Sequence, residues 1–390
     1  MKSVGAYSAS QGVPSIRQSV ADFIARRDSY PASADDIFLC AGASSGVNTL
    51  LNTICATPKT GILVPIPQYP LYTATLSVIG ATCVPYYLSE ESAWGTSISD
   101  IETAYKKAKS EGTDVKAIAV INPGNPTGAS LSKSDIEAVI TFAAKNSLVV
   151  LADEVYQTNI FIGTFTSFKS VLRELQGYKP NKPSQPQPPQ NEFSNLELVS
   201  LNSVSKGMIG ECGHRGGYFE LTNFDPRVAA EIYKFVSIAL CPPVTGQCLV
   251  QMMVSPPQPG DPSYSLYHEE YEGIKRGLKD RAYALWRAFN DLEGIECQEP
   301  MGSMYLFPRL RLPDGVQERV ERKAEGEGRS VDEYYVSRML DQTGICMVSG
   351  SGFGQKEGTL HFRTTFLAPG TDWVGRIGGF HRGFLEEFRG

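Results

Sequence analysis

LVVLADEVY, residues 148–156, runs five apolar residues into an acidic pair. A run with no polar alternation reads as a strand covered on both faces. Six further segments repeat the pattern: DIFLC (36–40), GILVP (61–65), CVPYYL (83–88), VKAIAVI (115–121), LELVSLN (196–202) and GGYFEL (216–221). Helical stretches lie between them, among them SIRQSVADFIARRD (15–28) and VNTLLNTIC (47–55), with AGASSG (41–46) read as a turn. Strand and helix alternating from about residue 15 to 255 predict an α/β unit with a mostly parallel seven-stranded sheet sandwiched by helices.

Residues 1–258 are assigned to this large domain. The segment KPNKPSQPQPPQ (179–190), with five prolines, interrupts it as an extended, mobile loop. A second break, PPQPGDP (256–262), precedes a long amphipathic helix expected over 264–292. Strands near SMYLFPRL (303–310), ICMVSG (345–350) and TLHFRTTF (359–366), then a helix from about 371, predict a smaller α+β C-terminal domain over 259–390. ERVERKAEGEGRS (318–330) reads as a solvated charged loop or helix end.

Of the 390 residues, 42% are hydrophobic and 20% charged, an ordinary enzyme composition with enough apolar mass for two domains. A net charge of -6 and no basic block interleaved with aromatics argue against nucleic acid as a partner. No apolar run approaches the roughly 18 residues that cross a bilayer, and MKSVGAYSASQG is no export signal, so the expectation is a cytoplasmic protein without a membrane partner. The eight cysteines, scattered without CxxC pairs, are expected to be reduced and mostly in the core. Four widely separated histidines offer no ligand pair, so no metal site is assigned.

In open α/β sheets ligands sit beyond the carboxyl ends of the strands. Four such ends here carry polar residues. DIFLC runs into Gly42-Ala43-Ser44 ahead of a helix, whose N-terminal N–H groups suit an anion; the bland reading makes Ser44 an N-cap. VKAIAVI runs into NPGNPTG (122–128), where Pro123 and Pro126 stiffen the turn that aims Asn125. LVVLAD leaves Asp153 at a strand end, with Tyr156 three residues on. LVSLNSVSK brings Lys206 past a fourth end, with Ser203 and Ser205 before it and Arg215 after. A lysine desolvated beside a guanidinium has a lowered pKa, and a neutral amine condenses with an aldehyde.

Taken singly, each end reads more simply as turn, cap or surface lysine. Together they meet one requirement. Pyridoxal phosphate needs a lysine for its imine, a carboxylate for its ring nitrogen, and hydroxyl, N–H and guanidinium groups for its phosphate. A GxGxG run at Gly350, Gly352 and Gly354 lacks the dinucleotide spacing and reads as a close-packed loop.

The order Gly42-Ala43-Ser44, Tyr69, Asn125-Pro-Thr-Gly128, Asp153-Glu-Val-Tyr156, Ser203-x-Ser205-Lys206, Arg215 and Arg363 resembles the class I aminotransferases of fold-type I. Within them GAYSASQG, IPQYPLY, NPGNPTG, SKGMIGECGHRGGYFE, CPPVTGQ and VSGSGFGQKEGTLHFR are similar to the alanine aminotransferase branch, over essentially the whole chain. The resemblance implies that Lys206 forms the imine and moves the 1,3-proton, that Asp153 pairs with the pyridine nitrogen, and that Tyr156 and Asn125 bond the ring's phenolic oxygen. It implies that Tyr69 stacks on the ring and that Ala43, Ser44, Ser203 and Arg215 hold the phosphate. Tyr7 is expected at the partner subunit's phosphate, which implies a homodimer. Arg363, with Asn125 beside it, is implied to bind the substrate carboxylate.

The implied reaction is ping-pong transamination of L-alanine and 2-oxoglutarate to pyruvate and L-glutamate. Glutamate:glyoxylate or other small amino acid transamination is the alternative, and an inactive cofactor-binding relic is the non-enzymatic one. The resemblance also implies an N-terminal segment ahead of Met1, absent from this sequence, which would make a mitochondrial location the alternative to the cytoplasm.

Overall fold

The computed structural model describes residues 3–182 and 187–389. Seven strands form the central sheet: β1 (Ile37–Cys40), β2 (Thr60–Ile66), β3 (Thr82–Tyr87), β4 (Asp114–Ile121), β5 (Val149–Asp153), β6 (Leu198–Ser203) and β7 (Gly217–Thr222). Their order is β1-β7-β6-β5-β4-β2-β3. The neighbours from β6 through β3 pair in parallel, whereas β7 runs antiparallel to both β1 and β6. The carboxyl ends of β1, β4, β5 and β6 and the entry to β7 therefore share one edge.

Helices α1 (Pro14–Asp28), α2 (Ala43–Ile54), α3 (Leu71–Ile79), α4 (Ile98–Ser110), α5 (Lys133–Asn146), α6 (Phe168–Leu175), α7 (Pro226–Ser237) and α8 (Val244–Val254) surround the sheet. Side chains alternate across a strand. Thus Ile118 and Val120 pack with Ile136 and Val139 of α5 on one face, while Ala117 and Ala119 join Val47 and Leu50 of α2 on the other. Burial on both faces explains why these strands are apolar throughout. Local signals set the helix starts: the Ser132 hydroxyl and Asp135 carboxylate form a reciprocal capping box on α5.

The long helix α9 (Tyr264–Asn290) leads into a C-terminal α+β part. It contains β8 (Ile295–Glu296), β9 (Tyr305–Leu306), β10 (Arg309–Leu310), β11 (Val348–Ser349) and β12 (Phe362–Thr365), with α10 (Asp314–Gly326), α11 (Val331–Thr343) and α12 (Asp372–Arg389). Its core gathers Leu285 and Phe289 of α9, Tyr335, Phe362 and Phe384.

Three expectations need correction. The charged segment 318–330 lies largely within α10, because Val316, Val320 and Ala324 recur every four residues and bury one stripe of it. AGASSG is a turn only at its start, since α2 begins at Ala43. The cysteines are all free as expected, but Cys40 alone is buried, and Cys212 and Cys346 are exposed. Of the Pro-rich loop, residues 183–186 lie outside the described residues.

Candidate active site

A cavity of about 340 Å³ opens at the shared strand edge. Ala43, Ser44, Tyr69, Asn125, Asp153, Tyr156, Ser203, Lys206, Arg215 and Arg363 all line it. Tyr7 does not; it is 81% exposed on the surface of this single chain.

The anion end is built by α2 and the turn before β7. Gly42, not Ser44, is the N-cap of α2, with φ 83° and no side chain to close the helix start. The first-turn N–H groups of Ala43 and Ser44 have no intrahelical carbonyl to bond and carry the positive end of the helix dipole. Arg215, itself left-handed at φ 56°, donates from Nη2 to Ser44 Oγ at 3.1 Å and to the Ala41 carbonyl at 3.2 Å, and from Nη1 to the Cys212 carbonyl at 2.7 Å. A Cβ on Gly42 would lie 3.0 Å from Arg215 Cζ and closer still to Nη2, so only glycine leaves room for this guanidinium. Ser203 Oγ lies 2.9 Å from Ser205 Oγ and 3.1 Å from the Gly216 carbonyl. Its hydroxyl is thus held by the chain, and Ser205 also faces the cavity.

Lys206 follows β6 in a tight turn whose next residue, Gly207, takes φ 69° and donates its N–H to Asn159 Oδ1 at 2.9 Å. The half-buried lysine holds its Nζ 5.5 Å from the centre of the Tyr156 ring. Asp153, at the end of β5, is buried. Its Oδ2 accepts from the Tyr72 hydroxyl at 3.5 Å, while Oδ1 is buried with no hydrogen-bond partner. Burial pushes its carboxyl up to about 6, against the pull of the Val155 N–H, Lys206 and Tyr72.

The Asn125 amide is shared. Its Nδ2 donates to the Tyr156 hydroxyl at 3.2 Å, and its Oδ1 accepts from Arg363 Nη1 at 3.0 Å. Tyr156 donates onward to Tyr305 at 3.4 Å; burial, then the Tyr305 hydroxyl, raises the Tyr156 phenol well above its ordinary range. Arg363 lies against the rings of Tyr305 and Phe353, 4.4 and 4.9 Å from their centres, with its Nε buried and unpartnered. Tyr69 is half exposed at the mouth, its N–H donated to the Asn125 carbonyl at 2.9 Å.

Sequence reasoning missed Tyr72 and Tyr305. Tyr72 stands in the first turn of α3, three residues after Tyr69, and that nearness in sequence was the available signal for it. Tyr305 becomes a site residue only when the C-terminal part docks. The GxGxG run is close packed at Gly350, where a Cβ would fall 2.8 Å from that of His361, but not at Gly352, which is exposed with only Val348 in ordinary contact.

The residues fit pyridoxal phosphate. The orphaned Oδ1 of Asp153 suits a cationic ring N–H, which would draw its pKa down. The helix start with Arg215 suits a phosphate, and the lysine lines the same cavity.

Comparison with known proteins agrees. The mitochondrial alanine aminotransferase of Saccharomyces cerevisiae is 51% identical over 393 residues, covering 99% of this chain and 63% of that protein. A second S. cerevisiae protein, an inactive alanine aminotransferase, is 49% identical over 389 residues, covering 99% of this chain and 74% of its own length. This chain thus spans less than two thirds of the first of these relatives. The solved alanine aminotransferase of Pyrococcus furiosus superposes with a TM-score of 0.79 at 25% identity, covering 97% of this chain and 84% of that one. The family model for aminotransferase class I and II matches residues 1–373, and with the cavity described above it places this chain in that family.

Proposed function

We propose that this chain transfers the amino group of L-alanine to 2-oxoglutarate, giving pyruvate and L-glutamate, by a ping-pong mechanism with pyridoxal phosphate. One observation carries the reading: Lys206, Asp153 and Arg363 face a single cavity that also holds the anion-binding start of α2. Pyridoxal phosphate, when bound, supplies an aldehyde that condenses with amines and a ring that accepts electron density from the substrate's Cα.

The chain's own residues do the rest. Asp153, with its buried and unpartnered Oδ1, would hold positive charge at the ring nitrogen and so keep the ring electron-withdrawing. Lys206 would supply the amine for the cofactor's aldehyde and, when free, would move the proton at the substrate Cα. Tyr156 and Asn125 would hydrogen-bond the ring's phenolic oxygen, and Tyr69 would stack on the ring. Arg363 would present guanidinium N–H groups not used on Asn125 to the α-carboxylate. Ala43, Ser44, Ser203 and Arg215 hold the phosphate.

We assign residues 1–258 to the large domain and 259–390 to the small one, joined by α9. Tyr7, exposed and outside the cavity, supports a homodimer in which it reaches the partner's phosphate. The cytoplasm is the proposed setting, and the mitochondrial relative supports the mitochondrion as its alternative.

The test is the visible spectrum of the purified holoprotein before and after alanine. Alanine is expected to bleach the lysine-bound cofactor band, and Lys206→Ala to eliminate that band. Survival of the band in Lys206→Ala sinks the assignment. The inactive relative at 49% identity favours one second reading, cofactor binding without turnover; a band that persists with alanine, glutamate and glycine alike would establish it. Half-reaction rates that rank glycine above alanine would favour the glyoxylate reaction.

A further inference from the structure

Outside the cofactor cavity, one cluster joins the sheet to the C-terminal part. After the edge strand β3 the chain forms a tight loop, closed by Ser89 N–H to Gly95 carbonyl at 3.1 Å and Trp94 N–H to Ser89 carbonyl at 2.8 Å. Ala93 and Trp94 both take left-handed φ values, 52° and 63°, which non-glycine residues hold only when their surroundings enforce it. The enforcement comes from two insertions into the C-terminal part. Trp94, 5% exposed, packs edge-on against Phe307 at 5.6 Å and His361 at 5.4 Å. Glu90 accepts from Arg309 Nη1 at 3.0 Å and lies 3.2 Å from His361 Nε2.

Arg309 and His361 face each other across an antiparallel bridge, and His361 stands two residues before Arg363 on the same chain segment. The His361 ring is fixed on every side. It stacks on Phe307 at 4.8 Å, and its Nδ1 lies 3.1 Å from Gln355 Oε1. That amide is oriented by its own Nε2, which donates to the buried Asp332 at 3.1 Å. Both ring nitrogens thus lie within hydrogen-bond distance of a side-chain oxygen, Gln355 Oε1 on one side and Glu90 Oε1 on the other. Burial works to raise the Glu90 carboxyl, but the hydrogen bond and charge of His361 with the charge of Arg309 outweigh it, leaving the pKa below the ordinary value. A second route runs through aromatics, from Trp94 through Phe307 to Phe353 at 5.8 Å and on to the Arg363 guanidinium at 4.9 Å.

We propose that Glu90 is a positioning residue for the carboxylate clamp: by binding Arg309 and His361 together, it pins the segment that carries Arg363 to the edge of the seven-stranded sheet. The proposal rests on Arg363 binding the substrate carboxylate, as assigned above. Glu90 touches neither substrate nor cofactor. Its contribution is to hold the guanidinium where Asn125 meets it, so its loss acts on carboxylate binding rather than on the cofactor.

The test uses the holoprotein with Glu90→Gln, which removes the charge and keeps the shape. The KM for alanine and the calorimetric Kd for propionate, a carboxylate that cannot react, are expected to rise together by about tenfold, with kcat within about twofold. The cofactor band and cofactor retention stay unchanged, and Glu90→Asp recovers part of the loss. Unchanged KM and propionate Kd overturn the proposal, as does a fall in kcat together with cofactor loss and no change in KM. If Glu90→Gln does not fold, Arg309→Gln removes the same contact from the other side and is judged by the same split. A wild-type protein that binds propionate without transaminating, with Glu90→Gln weakening that binding, would sink the transaminase reading and leave the latch standing. Normal wild-type turnover with an indistinguishable Glu90→Gln would sink the latch alone.

Discussion

Arg363 donates from Nη1 to the Asn125 side-chain oxygen at 3.0 Å, so an arginine of β12 is tied to the turn that follows β4. The same amide donates to Tyr156 at 3.2 Å. Asn125→Asp keeps the shape but turns both ends into acceptors and places a carboxylate against the clamp. Hydrogen bonds to charged groups contribute about 1.5–3 kcal/mol. Alanine kcat/KM is therefore expected to fall about ten- to a hundredfold, mainly through KM, in steady-state assays at saturating cofactor.

Asp153 makes a prediction about stability without cofactor. Burial raises its folded-state pKa from the ordinary 3.8 to about 6. The protonated form therefore favours the fold: that contribution is complete below 3.8 and is lost as pH rises through about 6. At about 1.4 kcal/mol per pH unit the loss is roughly 3 kcal/mol. Asp153→Asn cannot lose it. Urea unfolding of cofactor-stripped protein should show the variant level with wild type at pH 4 and more stable at pH 7, yet weaker in binding cofactor. Equal stability at both pH values would contradict the burial argument.

The anion end predicts a separation of affinity from fold. Arg215→Ala removes a charged donor from an exposed site, so thermal stability should hold while cofactor Kd weakens about ten- to a hundredfold. Gly42→Ala should fail on both counts, because φ 83° strains any side chain and the new Cβ meets Arg215. Cofactor titration and melting of the two variants side by side check the contrast.

A structural pair under the sheet behaves oppositely. Lys169 and Glu220, each almost wholly buried, form an ion pair between α6 and β7. Burial pushes the Glu220 carboxyl up and Lys169 pulls it back. Glu220→Ala leaves a buried lysine uncompensated and is expected to cost about 3–5 kcal/mol in denaturant unfolding. Lys169→Met combined with Glu220→Leu should recover most of that.

The seven strands were legible in the sequence because a sheet buried on both faces admits almost nothing but apolar residues between its turns. The four strand ends were legible because a cofactor needs different chemistry at each. Helix α10 was not, since Glu and Arg dominate its composition and its buried stripe is only Val316, Val320 and Ala324. Tyr72 and Tyr305 escaped for another reason. A tyrosine's value as a hydrogen-bond partner depends on what distant chain arrives beside it, and no local pattern records that. Glu90 belongs with them, 219 positions before the arginine it binds.

The reversal of β7 has a mechanical consequence. A parallel strand beside β6 would require a crossover of about a dozen residues or more, which normally departs from one edge and returns at the other. The antiparallel turn instead keeps Lys206 and Arg215 nine positions apart on one short tether at the same edge. Both side chains therefore reach the same cavity from one short strap, whose ends are tied by the Val204 N–H to the Gly216 carbonyl at 3.1 Å.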